Sequence, residues 1–222
     1  MTAAGVRRPL PGTAPAPVRG PVHGWLRLAS LYLVSRRAPA ALALVAALGA
    51  LLWAALHWHW NIAGGAAAQL VIPLTIETGA AAVIAVTTFG PFGEPERATG
   101  RWLPYLRLGA IVVLTAAAVG LLAAGATGGV LPGGFLAMVR NVAGFTGIGL
   151  LSAAVLGGAL AWTGPMAYLV LTEAALAGNV TTPWVWPARP PHDVGGTLCA
   201  AAVFAAGALL ITVRGTRESV RD

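Results

Sequence analysis

Six runs of 17 to 22 residues carry almost no charge, and any fold of this chain has to accommodate them. They are Ala38–His57, Ala67–Thr88, Leu108–Ala126, Val142–Thr163, Gly164–Val180 and Val194–Val213. Each is about the length a helix needs to cross a hydrocarbon layer of about 30 Å. Alanine, glycine and leucine dominate them, without the alternating polarity of barrel strands. In lipid the backbone must pair its N–H and C=O groups internally, so the runs read as helices. Charged residues form only 9% of the chain, against roughly a quarter in soluble domains, which excludes a soluble fold. The expected fold class is all-α: a polytopic membrane bundle of six transmembrane helices preceded by an interfacial amphipathic helix. Only Thr163-Gly164-Pro165 divides the fourth run from the fifth, so a tight hairpin is expected there.

Arginine orients the bundle. All 14 basic residues are arginine. Arg7, Arg8, Arg19, Arg27, Arg36 and Arg37 precede the first run, Arg97, Arg101 and Arg107 separate the second from the third, and Arg214, Arg217 and Arg221 follow the sixth. That places twelve on one side, with Arg140 and Arg189 on the other. Cytoplasmic segments retain positive charge, so a multi-pass cell-membrane protein with both termini cytoplasmic is expected. The net charge of +7 then reflects topology and requires no nucleic-acid partner.

Residues 1–21, with five prolines between Arg7 and Pro21 and no apolar core, describe a disordered cytoplasmic arm without the apolar stretch of a signal peptide. Residues 22–37, VHGWLRLASLYLVSRR, gather Trp25, Leu26, Leu28, Leu31, Leu33 and Val34 on one broad face. This suits a helix lying along the interface, the alternative being a cytoplasmic extension of the first span. The transmembrane domain is expected over 38–213 and a cytoplasmic tail over 214–222.

Trp53, His57, Trp58, His59 and Trp60 mark an aromatic belt at the end of the first span. His57 and His59, spaced i, i+2, point about 200° apart on a helix and do not pair on one metal ion, so no metal site is expected. Trp184 and Trp186 are expected as similar anchors between the fifth and sixth spans, where four prolines oppose a long helix. Cys199, the one cysteine, falls in an apolar run and reads as a small core residue. Without lysine the chain has neither a phosphate-loop lysine nor a Schiff-base lysine. It also lacks zinc-helix, nucleophile-elbow and dinucleotide-loop motifs, so no enzymatic activity of its own and no cofactor are expected.

Two acids lie inside the runs. Glu77 is near the middle of the second and Glu173 near the middle of the fifth. An ionised acid at such depth costs about 2.5–3.5 kcal/mol on insertion scales, so each needs a proton, a partner or water. Thr75, Thr78 and Thr172 offer neighbouring hydroxyls, and no arginine is expected at that depth. Each acid is either a hydrogen-bonded structural carboxyl or a polar point on a substrate or proton route. Between the second and third runs, Phe89–Arg107 holds Glu94, Glu96, Arg97 and Arg101 among Gly and Pro breaks. It is either a docking surface for a charged partner or an ordinary solvated loop. Small residues four apart, Gly64 with Ala68, Gly120 with Ala124 and Ala153 with Gly157, permit close helix packing.

This order resembles the membrane domain of type-2 ABC exporters. Within the inner loop, GEPERATGRW looks like the acidic-arginine-glycine stretch that opens the family's coupling element. FLAMVRNVAGFTGIGLL followed by AWTGPMAYLVL is similar to the fourth and fifth spans of small actinobacterial-type permeases. The resemblance implies a permease subunit without ATPase activity. It would be paired with a second permease subunit and served by separate ATP-binding cassette subunits docking on Glu94, Glu96, Arg97 and Arg101. It also implies that the second and fifth spans face the substrate route, placing Glu77, Glu173, Thr75 and Thr78 beside it. The rivals are a membrane tether or regulator, and a proton-coupled carrier using Glu77 or Glu173.

Overall fold

A computed structural model describes residues 33–34, 37–58, 66–87, 103–178, 180 and 182–214. Six helices occupy them: α1 (Ala38–His57), α2 (Ala66–Thr87), α3 (Leu103–Gly125), α4 (Gly134–Leu156), α5 (Thr163–Ala177) and α6 (Val194–Arg214). Single turns of 3-10 helix at Gly158–Leu160 and Trp186–Ala188 punctuate the last two connections. Among the described residues there is no strand. The chain is thus an all-helical bundle, and α1, α2, α3, α4 and α6 are long and apolar enough to cross a membrane. With 15 residues, α5 is shorter than the 17-residue run expected there and measures about 22 Å at 1.5 Å per residue.

The helix ends follow local chemistry. Pro39 sits in the first turn of α1, where its missing N–H is harmless. Arg37 adopts a left-handed conformation (φ 56°) at the start of α1, interrupting any continuous helix from Val34 into it. The remainder of the expected interfacial helix, the arm over 1–21 and the tail beyond Arg214 lie outside the described residues. Gly157, at φ +95°, ends α4 six residues before the expected break. Thr163, Gly164 and Pro165 instead form the first turn of α5, a position that tolerates proline.

Helix α4 also begins earlier than expected. The uncharged run opens at Val142, but the helix opens at Gly134 and carries Arg140 and Asn141 in its second turn. Arg140, expected in an external connection, is therefore a buried helical residue, 4% exposed. Its charge is tolerated inside because backbone carbonyls from another connection reach it, as described below.

Helices α2 and α4 occupy the centre. The first packs on α1, α3, α4 and α5, the second on α2, α3, α5 and α6. Leu52, Ile84, Leu122 and Val142 anchor one core among α1 to α4, and Ile111, Leu150, Ala208 and Ile211 anchor another among α3, α4 and α6. Glycine sets the closest approaches. A Cβ on Gly147 of α4 would lie 2.6 Å from the backbone of Phe204 on α6, and one on Gly207 would lie 2.5 Å from the Gly147 carbonyl oxygen. Gly49 of α1 and Gly125 of α3 meet similarly. Large apolar side chains remain on the outer surface, including Val113, Val170, Leu198, Leu209 and Val213. Such an apolar exterior suits lipid and is foreign to a soluble monomer.

Candidate functional site

Glu77 lies mid-way along α2 and is 3% exposed. Across the contact with α4, Asn141 Nδ2 donates a 2.9 Å hydrogen bond to Glu77 Oε2. Four residues before Glu77, Pro73 stands inside the helix, lacking a backbone N–H and so leaving the carbonyl of residue 69 without its usual donor. Thr75 and Thr78 do not serve the carboxyl. Thr75 is exposed and donates to the Val71 carbonyl, while buried Thr78 donates to that of Leu74.

Neighbouring Arg140 performs a different task. Its Nη1 donates to the carbonyl of Pro190 at 2.8 Å and its Nη2 to that of Arg189 at 2.9 Å. These bonds clamp the α5–α6 connection against the bundle. Arg140 directly precedes Asn141, the hydrogen-bond partner of Glu77, on α4, so the expectation that no arginine lies at the depth of Glu77 is corrected. Asp193 caps α6, with Oδ2 accepting from the Gly196 N–H at 2.5 Å and Oδ1 from Arg189 Nη2 at 2.7 Å. The Arg189 guanidinium, and then the Gly196 N–H, hold this carboxyl below the usual aspartate range.

The same connection folds inward on an aromatic stack. Trp186 is 2% exposed, stacked on Tyr168 with ring centroids 4.6 Å apart and meeting Phe145 edge-on at 6.5 Å. Gly144 makes room for it, since a Cβ there would fall 2.6 Å from the indole. Trp186 is therefore a core residue and not the interfacial anchor expected. Trp184, half exposed, lends only its carbonyl, which accepts from the Tyr168 hydroxyl. At the first span's end Trp53 and Trp58 are exposed, with Trp53 stacked on His57, while His59 and Trp60 lie outside the described residues.

These placements line a half-open cavity of about 270 Å³. Glu77 and Asn141 line it together with Pro73 on α2, Gly133 before α4, and Pro187 and Pro190 of the folded-in connection. Asn141 Oδ1 is buried without a hydrogen-bond partner. A second cleft of about 420 Å³ lies between α4 and α6, bordered by Leu136, Val139 and Leu198 and by Arg140 on its inner side. Among the described residues no three His, Cys, Asp or Glu side chains group as metal ligands.

No protein-family model, no curated protein and no solved structure matches this chain.

The structure thus joins one expected site residue, Glu77, to Asn141, and sets Arg140 one residue before that partner on α4. Glu173, half-buried on α5, is not among the cavity's lining residues. Glu94, Glu96, Arg97 and Arg101 lie outside the described residues. A usable signal for the missed pair existed: Pro132-Gly133-Gly134 is a helix-opening break, and starting α4 there puts Arg140-Asn141 inside an otherwise apolar helix.

Proposed function

We propose that this chain is the permease subunit of an ATP-driven exporter in the cell membrane, with the Glu77–Asn141 cavity forming part of the substrate route. The carrying observation is a buried carboxyl midway along a central membrane-length helix, lining a cavity at the bundle's connections. Intramembrane acids are costly and concentrate on such routes. The segment resembling small permeases, Phe135–Leu151, supplies Asn141 to the carboxyl, Arg140 to the clamp, Gly144 to Trp186 and Gly147 to α6. In this reading the chain crosses the membrane six times, α5 included, with both termini cytoplasmic. It pairs with a second permease subunit. ATP-binding cassette subunits dock on the connection containing Glu94, Glu96, Arg97 and Arg101, beside an interfacial helix before α1.

Copurification from native membranes should yield an ATPase partner whose activity in the complex responds to substrate, and reversing Glu96 and Arg97 should uncouple it. Reporters at Arg101, Gly128, Pro190 and Asp222 should read inside, outside, outside and inside; an external Asp222 refutes the orientation. A second reading, a proton-coupled carrier, draws on the same buried Glu77. It requires transport without any ATPase, and Glu77→Gln would abolish it. A tether would tolerate Glu77→Leu with its partner still bound.

A further inference from the structure

Two hydrogen-bond acceptors on the cavity floor, on Asn141 and Glu77, have more capacity than the donors that reach them. Both Nη atoms of Arg140 point to the backbone carbonyls of Pro190 and Arg189. Arg189 Nη2 is held by Asp193. On the cavity floor the Asn141 amide nitrogen already serves Glu77 Oε2. What remains on the floor that Asn141 and Glu77 form is acceptor capacity: the unpartnered, buried Oδ1 of Asn141 and the Glu77 carboxylate, which has more lone pairs than one hydrogen bond uses. The Nε–H of Arg140 and the indole N–H of Trp186 are also buried without a hydrogen-bond partner, but neither residue lines this cavity. Asn141 is itself 5% exposed, so an acceptor without a donor there carries a desolvation cost that a ligand N–H would remove. The volume, about nine times the share of one water in the liquid, admits a small head group but not a drug-sized molecule.

From this geometry we infer that the cavity is a binding site for a primary ammonium group, free or as the head of a larger substrate, with its N–H donors shared between Glu77 and Asn141 Oδ1. Arg189 lines the site with its Nη2 directed to Asp193, while Arg140, outside the lining, directs both Nη atoms to the Pro190 and Arg189 carbonyls. A quaternary ammonium has the same charge and no N–H, so it satisfies neither acceptor. The inference names the ligand chemistry for the site placed on the route under the proposed function. Binding itself requires no ATPase.

The experiment is equilibrium binding of radiolabelled methylammonium to the purified full chain in nanodiscs, with tetramethylammonium as competitor. Saturable binding is expected, displaced by unlabelled methylammonium and not by tetramethylammonium, and weakened at least about tenfold in Asn141→Ala, equivalent to about 1.4 kcal/mol. Glu77→Gln should weaken it further. Absence of saturable binding, equal displacement by tetramethylammonium, or full binding in Glu77→Gln overturns the inference. If both variants fail to assemble, the competition between the two cations on the wild-type chain decides alone. Transport by an ATPase complex that binds no methylammonium would refute the ligand while leaving the permease reading standing; saturable methylammonium binding by a chain with which no ATPase copurifies from native membranes would refute the permease reading while leaving the ligand standing.

Discussion

Asn141 on α4 and Glu77 on α2, 64 positions apart in sequence, join by a 2.9 Å hydrogen bond at the contact between the two central helices. The bond ties the packing of the bundle to the polar floor of its cavity. Replacing Asn141 with alanine removes the donor and leaves the carboxyl buried without it. A loss of about 1–2 kcal/mol is expected, allowing for the modest worth of hydrogen bonds between membrane helices. Denaturant unfolding in detergent measures it, and Asn141→Gln should recover part of the loss.

Arg140→Lys keeps the charge but lacks the planar fork that reaches two carbonyls at once. The connection from Val185 to Asp193 should loosen while α4 stays folded. Hydrogen exchange at Ala188 and Arg189, whose amides bond Val185 and Trp186, should quicken by about tenfold or more, in line with a lost charged hydrogen bond of about 1.5–3 kcal/mol. Exchange within α1 should not change.

Glycines in this chain are not equivalent. Gly147→Ala or Gly207→Ala sets a methyl against backbone atoms of the facing helix, which cannot rotate aside, and should cost about 1–3 kcal/mol by overpacking. Gly120→Ala meets nothing within 4 Å and should stabilise α3 by about 0.5–1 kcal/mol through helix propensity. Comparing the three unfolding midpoints in one detergent checks both signs.

Asp193 makes the α6 cap pH-dependent. Its folded pKa lies below the unfolded one, because Arg189 and the Gly196 N–H favour the carboxylate. The stabilisation is therefore complete above the unfolded value, about pH 4, and disappears as pH falls through the lower folded value. Asp193→Asn, which retains a capping oxygen but cannot ionise, should flatten this acid limb by lowering stability in the neutral region, leaving stability below the folded pKa comparatively unaffected. Unfolding midpoints between pH 7 and 2 test it.

Apolar run length placed the helices well where nothing polar intervened. The run Ala38–His57 coincides with α1, and Val194–Val213 falls one residue short of α6. It misplaces the start of α4 because a charge ends an uncharged run, whereas Arg140 enters the helix once the Pro190 and Arg189 carbonyls come to meet it. Those carbonyls are contributed from fifty residues away, and no local pattern encodes that meeting. Glu77 stood out through its depth alone, while Asn141, uncharged and next to an arginine assigned to a loop, drew no notice. Trp186 was read from composition as an interfacial aromatic, but the space that buries it is made by Gly144 on another helix. Of the four-residue small pairs, a Cβ on Gly120 would meet nothing within 4 Å, Ala153 is buried in the core and Gly64 lies outside the described residues, while the closest contacts, Gly147 with Gly207 and Gly49 with Gly125, join different helices. Sequence spacing within one helix does not specify them.

In a bilayer thick enough for its five longer neighbours, α5, at about 22 Å, falls roughly 8 Å short of a 30 Å hydrocarbon layer. Val170 and Leu171 are exposed along it, so if α5 crosses the bilayer as the proposed permease reading has it, lipid tails beside them would have to shorten or tilt to keep polar headgroups near Thr163 and Gly178. In that reading the protein dimples the membrane on this flank, and acyl-chain length becomes a mechanical input: short chains relax the dimple, and long ones pull on the two ends of α5. One of those ends leads directly into Trp186 and the segment held by Arg140.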